Sequence, residues 1–155
     1  MRIVCDSSTI VALERINHLW LLETLAEEIL IPHTVNKEIN TKKDIDLPAC
    51  FKVTEAKDKH FIKQNRENLH IGEVEAIALA KEVKADIVIL DDKKARRLAE
   101  KEGLKVSGLL ALIIMAKEKG IIKRVKPIVD DLKSQSFFVG KDLYDEILKL
   151  AGEIS

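Results

Sequence analysis

Residues 86–103 read DIVILDDKKARRLAEKEG. Ile87 to Leu90 are apolar without a break, the pattern of a strand buried on both faces. Two aspartates end the run. A basic helical stretch follows, with Gly103 at its C-terminal stop. A strand with no polar face needs cover on both sides, so these residues argue for a parallel sheet sandwiched between helices. The same order opens the chain in MRIVCDSSTIVALERI, residues 1–16. Ile3, Val4 and Cys5 predict a strand from Arg2 to Cys5. Ser7 and Ser8 then offer N-caps for a helix from about Thr9 to Arg15. A hydroxyl pair suffices for that cap, so the carboxylate of Asp6 asks for another explanation.

Working outward, HLWLLETLAEE predicts a helix with Leu19, Leu22 and Leu25 on one stripe, and Trp20 is read as core. ILIP is a short buried strand, and HTVNKEI has helical spacing. NTKKDIDLPA is read as a polar loop, and FKVTEA as an edge strand. Lys57 to Leu69 is charged and helical. IGEVEAIALAKEVKA is a strong helix with Gly72 near its start. LKVSG is a last strand. LLALIIMAKEKG is a helix ended by Gly120, Pro127 opens another at its first turn, and GKDLYDEILKLAGE gives the final one. No repeat, linker or low-complexity tract interrupts residues 1–155, which read as a single domain.

Apolar residues make up 46% and charged residues 34% of the chain, as in soluble globular proteins. Its apolar runs fall well short of the ~20 residues that span a bilayer. The N-terminus shows no secretory pattern, so a cytoplasmic protein without a membrane role is expected. Cys5 and Cys50 are isolated and read as reduced thiols. The 26 basic and 26 acidic residues cancel, so any nucleic-acid contact must be local or assisted by a cation.

In open parallel sheets, ligand sites lie beyond the carboxyl ends of the strands. Asp6 is expected there, and so are Asp91 and Asp92. Counting on from Glu73, the residues three, four and seven further along are Ala76, Ile77 and Ala80. Glu73 therefore shares an inward helical stripe, whereas Glu75 falls on a face expected to meet water. Glu38, beside Val35 and Ile39, is a less sharply drawn case of the same kind. Carboxylates gathered at one sheet edge repel one another, and hard oxygen-seeking cations such as Mg²⁺ or Mn²⁺ relieve the conflict. No His/Cys cluster suggests zinc, and His18, His33, His60 and His70 read as surface or loop residues. A lone Asp after a strand is commonly a cap. It is the conjunction of Asp6, Glu73 and the Asp91–Asp92 pair that points to chemistry.

The ordered segments VCDSS, PHTVNKEI, IGEVEAIALA, IVILDDKKAR and GLKVSGLLALI resemble the PIN domain, and more narrowly its prokaryotic DUF3368 branch. The resemblance implies a three-layer α/β/α sandwich whose central parallel sheet has strand order 3-2-1-4-5. It also implies a metal-dependent ribonuclease in which Asp6, Glu38, Glu73 and Asp92 are catalytic. Asp6, Glu73, and Asp91 or Asp92 would bind Mg²⁺ or Mn²⁺. Leu90 stands where many relatives carry a threonine before the last aspartate, so Asp91 and Asp92 both stay in view. Ser8 matches a small hydroxyl residue often found near the first aspartate.

Lys93 and Arg96, in the first turns of the basic helix, are candidates for phosphate contact. Proteins of this appearance are often toxins paired with a small antitoxin, and a homodimer is expected. Two rivals remain open. One is a catalytically weak PIN-fold module that binds RNA or protein. The other is a magnesium-dependent phosphatase with Asp6 as nucleophile, disfavoured by Ser8 where such enzymes place a second aspartate.

Overall fold

The computed structural model describes residues 1–42 and 45–154. Its strands are β1 (Arg2–Cys5), β2 (Glu28–Ile31), β3 (Phe51–Val53), β4 (Ile87–Ile89) and β5 (Val106–Ser107). All pairings are parallel, and the sheet order is β3-β2-β1-β4-β5. Helices α1 (Ser7–Arg15), α2 (Trp20–Leu25) and α3 (His33–Lys42) come from the first half. They are followed by α4 (Lys59–Asn65), α5 (Ile71–Val83) and α6 (Lys93–Lys101). Then come α7 (Leu109–Glu118), α8 (Lys126–Ser134) and α9 (Lys141–Leu150).

The three layers follow from the two-residue period of the strands. Ile3, Cys5, Ile29, Ile31, Ile87 and Ile89 point to one face, where α1, α2, α3, α7, α8 and α9 contribute the rest of a buried cluster. Val4, Leu30, Val88 and Leu90 point to the other, packed with residues of α4, α5 and α6. Chain order therefore reverses at β1, which lies between β2 and β4. Ligands bind at such a switch point because the loops leaving neighbouring strands diverge and open a crevice.

Several local expectations need correction. The cap of α1 is Asp6 and neither serine, because its carboxylate accepts from the Thr9 N–H at 3.1 Å. Trp20 is 41% exposed, so it leaves the core to Leu19, Leu21, Leu22 and Leu25. The segment read as a loop from Asn40 is helical as far as Lys42, while Lys43 and Asp44 lie outside the described residues. The edge strand β3 is shorter than FKVTEA. Both cysteines are free thiols, as expected.

Helix α5 is buried on nearly every side: Val74 and each residue from Ala76 to Ala80 are inaccessible. Its alanines let the sheet and the helices α3, α4 and α6 approach closely. An α5 this enclosed has no broad solvent face, so Glu75 is half-buried and accepts a hydrogen bond from the Thr34 hydroxyl of α3. Ile77 is fully buried at the centre of this layer. Ile77→Ala should cost about 2–5 kcal/mol, the range for large-to-small changes in a packed core. Urea unfolding followed by circular dichroism would measure it; a loss under about 1 kcal/mol would contradict this packing.

Candidate active site

Asp6 leaves β1 at the switch point and is 4% exposed. Its N–H donates to the Ile89 carbonyl of β4 at 3.1 Å. One carboxylate oxygen, Oδ1, accepts from Thr9 N. The other, Oδ2, accepts from Asp91 N at 2.8 Å and from Ser8 Oγ at 3.2 Å. A buried carboxylate is tolerated only where donors replace its lost water, and here they come from α1 and from the β4–α6 turn.

Around Asp6 lies a cavity of about 210 Å³, lined by Ser7, Ser8, Glu38, His70 and Glu73 together with Val35 and Gly72. Glu38 reaches it from α3, and its Oε2 accepts from Ser7 Oγ at 2.7 Å. Glu73 enters from the first turn of α5, where its Oε1 accepts from His70 N at 3.1 Å and so caps that helix. Gly72 makes room for this meeting. A Cβ there would sit 2.6 Å from Glu38 Oε1. No lysine or arginine lines the cavity among the described residues.

The other sequence candidates lie around this centre. Asp92 is an exposed N-cap of α6, with Oδ2 accepting from Ala95 N at 3.0 Å. Asp91 is tied to Asp6 through its backbone, while its side chain is exposed and lines the neighbouring cavity. Lys93 is exposed at the first position of α6. Arg96 is half-buried, and its Nη1 donates to the Leu90 and Asp91 carbonyls at 3.2 and 3.1 Å, buttressing the turn that carries the aspartates. Leu90 is fully buried in the core. Sequence reasoning assigned no role in the pocket to Ser7, His70 or Gly72. Only the glycine left a signal, because a residue costly in a helix stands in the first turn of a strong one.

Burial raises the Asp6 carboxyl above its ordinary range, and the N–H groups of Thr9 and Asp91 offset this only in part. Burial likewise raises Glu73, and the charges of Asp92 and Asp6 add to the effect against the hydrogen bond from His70. The acids are thus near enough to feel one another. Among the described residues, however, no three His, Cys, Asp or Glu side chains are gathered tightly enough to form a metal-binding group.

The model of the family described as DUF3368: PIN domain matches residues 2–153, and the chain belongs to that family. PIN domains are generally nucleases, so the fold is of nuclease type and the coarse class is a hydrolase acting on nucleic acid. No curated protein matches the chain. Among the described residues, no helix is long and apolar enough to cross a membrane.

Two measurements test this geometry. Glu73 has a raised pKa in the folded protein, so the stability it contributes is present below the ordinary carboxyl range and is lost as pH rises through its folded value. Without divalent ions, Glu73→Gln should therefore melt higher than wild type at neutral pH. The difference should vanish toward about pH 4; a constant difference across that window would contradict the assignment. Gly72→Ala should leave thermal stability unchanged or raised, since alanine is the better helix former by up to ~1 kcal/mol. Glu38 should nevertheless shift, visible in a crystal structure as loss of the Ser7–Glu38 hydrogen bond.

Proposed function

We propose that this protein is a ribonuclease that hydrolyses RNA phosphodiester bonds with the help of Mg²⁺ or Mn²⁺. The observation that carries the reading is the buried Asp6 carboxylate in a cavity it shares with Glu38 and Glu73, with no lysine or arginine on its walls among the described residues. Family membership supports the nucleic-acid substrate.

The donor set fits a hard cation. The polar side chains lining the cavity are carboxylates and hydroxyls apart from the His70 imidazole, and the two acids with raised pKa values would be relieved by positive charge. Mg²⁺ usually keeps several waters and takes only one or two carboxylates plus substrate phosphate oxygens, so a tight three-ligand cluster is not required. Asp6, Glu73 and Asp92 are the residues that would hold it, with Asp91 as the alternative to Asp92 and Glu38 within the same cavity. When bound, the cation would supply Lewis-acid polarisation of a phosphate oxygen and acidify a bound water.

The remaining tasks fall to the chain. Thr9 N, Asp91 N and Ser8 Oγ fix both oxygens of Asp6 in place before substrate arrives. Ser7 Oγ holds Oε2 of Glu38 and leaves Oε1 beside Gly72, where it can accept a proton from an attacking water. Lys93, exposed at the start of α6, would meet the phosphate backbone. The hydroxyl of Ser8 is close enough to Asp6 to orient substrate at the same point.

By resemblance the reading extends to a toxin with a small antitoxin, acting as a homodimer in the cytoplasm, with residues 1–155 as one domain. A second reading, a PIN-fold module that binds RNA or protein without cutting it, is favoured by the lack of a compact three-ligand group among the described residues. One assay separates them. Wild type should cleave a mixed-sequence oligoribonucleotide with Mn²⁺ or Mg²⁺ and stop on addition of EDTA. Asp6→Asn should reduce the rate at least about a hundredfold, as expected when several kcal/mol of charge stabilisation is lost. Binding without cleavage under every metal condition would favour the module, and cleavage indifferent to Asp6→Asn would remove the site.

A further inference from the structure

Beside the acid cavity lies a second one of about 190 Å³, between α1 and the loop that joins α8 to α9. Ser8 lines both, so the two adjoin at that residue. Arg15 stands two turns of α1 beyond Ser8, about 10 Å along the axis, and lines the same wall. It is exposed and has no acidic partner among the described residues. Val11 and Leu132 make part of the lining apolar, and Phe137 lines it from the α8–α9 loop.

The next residue, Phe138, is 89% exposed, by far the most exposed of the large apolar side chains. Its loop is anchored at one end and turns tightly at the other. Ser136 adopts φ 70°, a left-handed conformation that non-glycine residues rarely take, and Val139 is buried on the far side. An exposed phenylalanine between an anchored valine and a half-buried phenylalanine contributes little to stability where it stands.

We propose that this second cavity and the Phe138 ring form a base-binding subsite for single-stranded RNA, holding a nucleotide next to the one whose phosphate enters the acid cavity. The inference rests on the nuclease reading for its choice of ligand. The cavity suits a base better than a phosphate, because the exposed Asp91 carboxylate on its wall repels phosphate but accepts hydrogen bonds from exocyclic amino groups. Unstacked bases are held by aromatic faces and guanidinium planes, which Phe137 and Arg15 supply on the cavity wall and the exposed Phe138 offers from the same loop. A chain of zero net charge lacks a strong general pull on the phosphate backbone, so stacking would supply the missing affinity. Phe61 also lies against a cation. That ring is buried beneath Lys81, 4.4 Å from its Nζ, and is not offered to a ligand.

Fluorescence anisotropy with a short labelled single-stranded RNA, in EDTA so that nothing is cut, tests the subsite. Phe138→Ala and Arg15→Gln should each weaken binding about tenfold. Phe138→Tyr should restore it, and Trp20→Ala, which alters an exposed aromatic elsewhere, should leave it unchanged. Thermal melts equal to wild type would show that the exposed Phe138 and Arg15 variants are folded. Wild type that fails to bind, binding indifferent to both substitutions, or equal affinity for double-stranded RNA would each overturn the proposal; indifference would be the result expected if the loop instead docks a protein. The two readings fail separately. RNA bound through Phe138 but never cut with Mg²⁺ or Mn²⁺ rejects the nuclease and leaves the subsite. Cleavage whose KM ignores Phe138→Ala and Arg15→Gln rejects the subsite and leaves the nuclease.

Discussion

The structure turns on one desolvated carboxylate. Asp6 sits where β1 ends, and its two oxygens are held by donors from two further places in the chain: the first turn of α1 and the backbone that follows β4. These bonds do three things at once. They begin a helix, they register the β4–α6 turn against β1, and they aim an anion into the crevice where chain order reverses. A buried charge held only by dipoles carries a desolvation cost that three hydrogen bonds do not fully return. That uncompensated remainder is what the proposed cation would relieve.

The acids in and around the crevice are positioned by unlike routes. Asp6 and Asp92 are both helix caps at strand ends, so helix formation itself positions them. Glu73 is placed by its bond to the His70 N–H, and Glu38 by a hydroxyl from a different helix. The basic residues divide in a corresponding way. Arg96 is committed to backbone carbonyls, whereas Lys93 remains exposed. Capping and the proposed chemistry, set against each other when the sequence is read, are compatible here: a cap must face an open helix end, and helix ends after parallel strands line the crevice.

Legibility followed the range of the interactions. Strands were readable because Ile3–Cys5 and Ile87–Leu90 carry their burial in their own composition. The sheet order came from the family resemblance, and parallel pairing confirms it. Glu75 was misjudged because stripe arithmetic assumes a helix with one wet face, and α5 has almost none. Trp20 was misjudged because a single large apolar residue in a leucine-rich stretch does not reveal which side it takes. Ser7 and Gly72 meet Glu38 only through the packing of α1, α3 and α5, a relation between distant segments, whereas His70 meets Glu73 within one helix turn.

Cys5 shows what this arrangement means for chemical durability. It lies one residue before Asp6, is wholly inaccessible, and burial with the adjacent carboxylate holds its thiol well above the ordinary value. Thiolate is the form that peroxides and alkylating electrophiles attack. The sulfur one residue before that carboxylate is therefore kept in its unreactive state by the burial that also raises Asp6, and oxidative stress would leave Cys5 unmarked.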